Sequence, residues 1–147
     1  MTNEERAGKL LDEVEALYAE VENALKRGSW NMALRRAQEV VEATWKGLLA
    51  LMGADYPKDH DPARVFARVA RERGLGVPDE TLQEIQTLSA ELSRKRAPAF
   101  YFEIDISPEE AHRAAEGAAK VLRLGLDLRA RLLPGVGKES PYPCEGL

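Results

Sequence analysis

The chain has 147 residues, enough for one domain with a single core. Its formal charge of −4 argues against broad electrostatic capture of nucleic acid while leaving room for a local basic site. The single cysteine, Cys144, excludes an internal disulfide and fits a reducing compartment. No signal-like apolar stretch follows the charged start, and no apolar run approaches the length of a bilayer span. The expectation is a soluble, cytoplasmic protein with no membrane association.

A first helix is predicted from Asn3 or Glu4 to about Arg27. Leu10, Val14, Leu17, Val21 and Ala24 recur in steps of four and three, which lays one apolar stripe along a helix. Thr2 or Asn3 can cap it, Glu4 and Glu5 suit its positive end, and Gly28 stops it. The turn that leads into Trp30 is so short that the next helix must run antiparallel, with Ser29 as its cap. In that second helix the stripe is Trp30, Leu34, Ala37, Val41, Thr44, Leu48 and Leu51. Val40, Trp45, Leu49 and Met52 widen it, as expected of a central helix touching more than one neighbour. Gly53 ends it.

Asp61 before Pro62 is a helix start: a capping carboxylate, then proline where no amide donor is needed. The third helix is predicted from Pro62 to Arg73, with Val65, Phe66 and Val69 inward and Arg64, Arg68, Arg71 and Arg73 outward. A fourth begins at Pro78 or Asp79 with Leu82, Ile85, Leu88 and Leu92 as its apolar edge. Pro98 disfavours helix in the residue before it, so this helix is expected to end near Arg94–Ala97. The following AlaPheTyrPheGluIleAspIle alternates in part, but a lone strand would have no partner. It is expected to be an extended loop, with Phe100, Tyr101 and Phe102 packed on the bundle. Ser107, Pro108 and Glu110 form a second helix start with a capping box. The fifth helix runs to about Leu133, and its Ala- and Gly-rich first half permits close approach of another helix. Residues 1–133 thus read as one all-α, up-and-down bundle of about five helices, and residues 134–147 as a flexible tail.

Few residues offer chemistry. There is no phosphate-binding glycine loop and no Cys or His cluster, so neither a metal nor a cofactor is expected. The only histidines are His60 and His112. Gln38, Glu42 and Lys46 share one helix face. Glu42 and Lys46 can be a helix-stabilising pair worth roughly 0.2–0.5 kcal/mol. Alternatively the row, with Arg35 nearby, lines a groove against the last helix or a partner. His60 and Asp61 suit a loop and cap, or a ligand contact. Arg94, Lys95 and Arg96 either complement the helix dipole in a solvated last turn or contact a phosphate.

The second helix carries a family resemblance. Ala33 or Leu34, Gln38, Glu42, Lys46, Leu48 and Leu49, followed by His60 and Asp61, resemble the signature of HEPN domains. These are small helical proteins that accompany minimal nucleotidyltransferases, and the likeness covers roughly residues 4–132. Members that cut RNA resemble one another in an arginine, four to six intervening residues, then a histidine. In those paired with a nucleotidyltransferase, a tyrosine often stands two positions beyond the histidine. Arg94 and Tyr101 match, but the histidine position is Ala99. Alanine cannot transfer a proton, and a phenol titrates near 10, about three units too high for efficient transfer at neutral pH.

The resemblance therefore implies a non-catalytic binding module, possessing no RNase activity, that forms a homodimer across a cleft between the two Arg94 regions. It implies a minimal nucleotidyltransferase as partner, in a toxin–antitoxin type of system, with nucleotide or RNA as ligand. Candidate contacts are Arg35, Gln38, Glu42, Lys46, His60, Arg94, Arg96 and Tyr101, the last also a candidate modification site. The alternative is a metal-independent RNase toxin with a rearranged site of Arg94, Arg96 and His112. The fifth helix and the two tryptophans are candidate interface material.

Overall fold

The computed structural model describes residues 2–55 and 62–132. His60, Asp61 and the tail lie outside these residues. Among the described residues there are five helices and no strand: α1 (Asn3–Lys26), α2 (Trp30–Leu51), α3 (Pro62–Glu72), α4 (Asp79–Phe100) and α5 (Pro108–Leu132).

Local signals set most of the helix ends. Thr2 caps α1 in a reciprocal box: the Glu5 amide donates to Thr2 Oγ1 at 3.0 Å, and the Thr2 amide donates to Glu5 Oε2. The Glu110 amide donates to Ser107 Oγ at 3.1 Å, as its spacing predicts for α5. Ser29 departs from expectation. It stands at the cap position of α2, but its side chain makes no capping bond; its backbone amide closes α1, donating to the Ala24 carbonyl at 2.9 Å.

Helix α2 is central, packing against α1, α3, α4 and α5. Glycines open the contacts with α1 and α5. A Cβ on Gly47 would lie 2.9 Å from the Leu11 side chain of α1. A Cβ on Gly125 of α5 would lie 2.4 Å from Thr44 Cγ2, so α5 can approach α2 closely only where it has no side chain. Thr44 is buried, and its hydroxyl donates back to the Val40 carbonyl at 2.7 Å.

Trp45 is fully buried, which removes it from the interface material expected from sequence. Its ring stacks on Phe66 of α3 at 4.6 Å, and its Nε1–H donates to Ser89 Oγ of α4. One side chain thus ties three helices. Trp30 is half-buried against the His112 ring of α5.

The largest departure from the sequence reading is at the end of α4. The helix continues through Pro98 to Phe100. Pro98 lies in the last turn, where its missing N–H removes one helical bond. The turn that follows is held from outside the helix. The buried Asn31 amide donates to the carbonyls of Ala99 at 3.0 Å and Ile104 at 2.9 Å, and its Oδ1 accepts the Ile106 amide at 2.9 Å. Phe100, Tyr101 and Phe102 do not pack into the bundle. They are 53%, 70% and 70% exposed, because Ala99 and Ile106 take the inward positions.

Candidate functional site

The polar row on α2 forms as its spacing demands. Gln38 Nε2 donates to one carboxylate oxygen of Glu42 at 3.2 Å, and Lys46 Nζ donates to the other at 3.1 Å. The face it presents is toward α4, not toward the last helix. Gln38, Ser93, Arg96 and Ala97 line a recess of about 120 Å³ between α2 and α4. Arg96 is steered by Glu39 at 3.7 Å, and Glu39 also accepts from Arg36 at 2.8 Å. The recess therefore combines an amide, a hydroxyl and a guanidinium, a set suited to accepting oxygens of a small polar group.

The continuation of α4 places Arg94 and Tyr101 on one helix face. Seven residues are close to two turns, about 10 Å along the axis. Arg94 is exposed and makes no ion pair among the described residues. Tyr101 packs edge-on against Phe100, with ring centroids 5.0 Å apart. Arg35 of α2 does not join the Gln38 row; its guanidinium lies over the Phe100 ring, 4.5 Å from the centroid. A cation, a phenol and two aromatic faces thus converge at the end of α4.

Ala99 lies elsewhere. It is fully buried, and its carbonyl is held by Asn31. Arg94 and Arg96 also diverge, since a separation of two residues turns side chains to opposite sides of a helix. His112 is exposed beside Trp30 on α5, and no contact among the described residues joins it to either arginine. The trio Arg94, Arg96 and His112 is not assembled.

Lys95 points the third way, toward α5. Its Nζ donates to Glu110 at 2.9 Å and to Glu91 at 3.0 Å. These bonds raise the Lys95 pKa above its ordinary value, the bond to Glu110 contributing most. The Lys95 bond likewise holds the Glu110 carboxyl below its ordinary value, against the opposing effect of burial. Sequence reasoning missed Asn31 as the organising residue. Its signal was a polar side chain one turn before Leu34, on the inward stripe.

No group of His, Cys, Asp and Glu side chains suited to a metal ion occurs among the described residues. No helix among them is long and apolar enough to cross a membrane.

The fold and the site define a class: an all-helical bundle whose second helix carries a polar row and whose fourth ends in a basic and aromatic cluster. The family model for the HEPN domain matches residues 7–128, and the chain belongs to that family. No curated protein and no solved structure matches it.

Proposed function

We propose that this HEPN-domain protein is a binding module without catalysis of its own. It serves as partner or substrate-binding subunit of a minimal nucleotidyltransferase, in a toxin–antitoxin type of system. One observation carries this reading. The position expected to supply the acid–base histidine is Ala99, buried and held by its backbone, so no proton-transferring group projects from it. What remains around it is recognition equipment. Arg94 and Arg96 can each meet a phosphate, and Phe100 and Tyr101 offer faces for a base. A homodimer across the exposed cluster of Met32, Phe100, Tyr101, Phe102 and Ile104 belongs to the same reading.

The test is recovery of tagged protein from its native lysate, followed by the intact mass of the bait. The expected result is a co-eluting nucleotidyltransferase. An added nucleotide mass that disappears in Tyr101→Phe would make Tyr101 the modified residue. Purified protein should also melt at a higher Tm with its nucleotide ligand, since binding to the native state stabilises it. RNA cleavage by highly purified protein, abolished in Arg94→Ala, would replace this reading with the RNase toxin.

A further inference from the structure

Helices α4 and α5 touch over only a short part of their length. They meet at Gly117, where an added Cβ would stand 2.8 Å from the Leu88 side chain. To one side of this crossing they part around a cavity of about 500 Å³. This volume falls in the range that holds small-molecule ligands, roughly 300–1,000 Å³. Its floor is apolar, with Ile85 and Leu88 from α4 and Val121 and Leu124 from α5.

The rim has the opposite character. Lys120, Arg123 and Arg131 stand on it with a single carboxylate, Glu84. Positions 120, 124 and 131 fall along one face of α5, with 123 beside them. Lys120 and Arg123 make no ion pair among the described residues, although the chain as a whole carries an excess of acid. Arg131 is anchored instead by Asp127, whose side chain is only 1% exposed. That carboxylate has no hydrogen-bond partner beyond this ion pair. A buried carboxylate is costly unless a cation answers it, so Asp127 commits Arg131 to its position on the rim.

We propose that this groove binds a small amphipathic anion, one with an apolar body and a carboxylate or phosphate head. Charge complementarity selects this ligand class. A neutral apolar molecule would cover the floor and leave Lys120 and Arg123 unanswered. A bare inorganic anion would meet the cations and leave the floor wet. The site shares no residue with the Arg94 and Tyr101 cluster and does not depend on the nucleotidyltransferase reading.

The experiment uses the full chain with octanoate, octyl phosphate, octanol and inorganic phosphate, followed by calorimetry and thermal melting. Both amphipathic anions are expected to bind saturably and raise the Tm, while octanol and inorganic phosphate do neither. The better of the two anions identifies the head group. Lys120→Glu combined with Arg123→Glu should weaken anion binding roughly tenfold or more. Both residues are exposed, so the unliganded Tm should stay close to that of the parent. Leu88→Trp, which fills the floor, should also abolish binding. The proposal is overturned if octanol binds as well as the anions, if the charge-reversed variant binds undiminished, or if neither anion binds.

Discussion

Helices α1 and α4 end with the same pair of backbone hydrogen bonds, on very different residues. At the end of α1 the Gly28 amide donates to Leu25 at 3.1 Å and the Ser29 amide donates to Ala24 at 2.9 Å. At the end of α4 the Phe102 amide donates to Ala99 at 3.4 Å and the Glu103 amide donates to Pro98 at 2.9 Å. This is the Schellman motif, which requires a left-handed residue after the cap. Gly28 takes that conformation at φ 72° without steric cost, whereas Phe102 takes it at φ 53° with a Cβ in the way. Helices α2 and α3 close in the same manner on Gly53 and Gly74. Three ends are closed by local chemistry. The fourth is held in a strained geometry by Asn31 and displays three aromatic side chains, in the segment that carries the family's functional resemblance.

Removal of the clamp should have the largest effect. Asn31→Ala leaves the Ile104 carbonyl and the Ile106 amide without their partner and takes one donor from the Ala99 carbonyl, at a cost of about 2–4 kcal/mol. Denaturant unfolding measures this, and hydrogen exchange should show added opening at 99–106 while α1 stays protected. An unchanged end of α4 would mean that Asn31 does not hold it. Next is the mirror substitution at the unstrained end. Gly28→Ala forces a side chain into the left-handed region and should cost about 1–2 kcal/mol.

Phe102→Gly should act in the opposite direction. It removes the steric penalty from an exposed position and should stabilise the protein by up to about 1 kcal/mol. If Phe102 also serves recognition, partner recovery should fall as stability rises. A loss of stability would show that the Phe102 side chain supports the fold.

The smallest effect concerns the Lys95–Glu110 tie that bridges α4 and α5. Because Glu110 is depressed, its contribution is present above the ordinary glutamate pKa of 4.5 and is lost as pH falls through the lower folded value. Because Lys95 is raised, its contribution is present below 10.5 and is lost only as pH climbs through the higher folded value. Glu110→Gln should therefore flatten the acid limb of the pH–stability profile and weaken the alkaline one. The partly exposed pair limits the change to about 0.5 kcal/mol. An acid limb as steep as in the parent would assign the acid sensitivity to other carboxylates.

Five helices, the caps at Thr2 and Ser107, and the Gln38–Glu42–Lys46 row were legible in the sequence. Each rests on residues a turn or two apart, where period and capping chemistry act locally. The extension of α4 was not legible, because the rule for proline is also local and here a distant residue overrides it. Asn31 reaches carbonyls 68 and 73 residues away, and no spacing in the chain announces such a bond. The same long-range contacts turned Ala99 inward and Tyr101 outward, onto the face of Arg94. Helix packing, equally invisible to local rules, gave the α2 row α4 as its neighbour and parted α4 from α5 around an apolar floor. Periodicity assigns a residue to a helix face. Only packing assigns that face a neighbour, and here that choice shaped both the recess at Gln38 and the groove at Leu88.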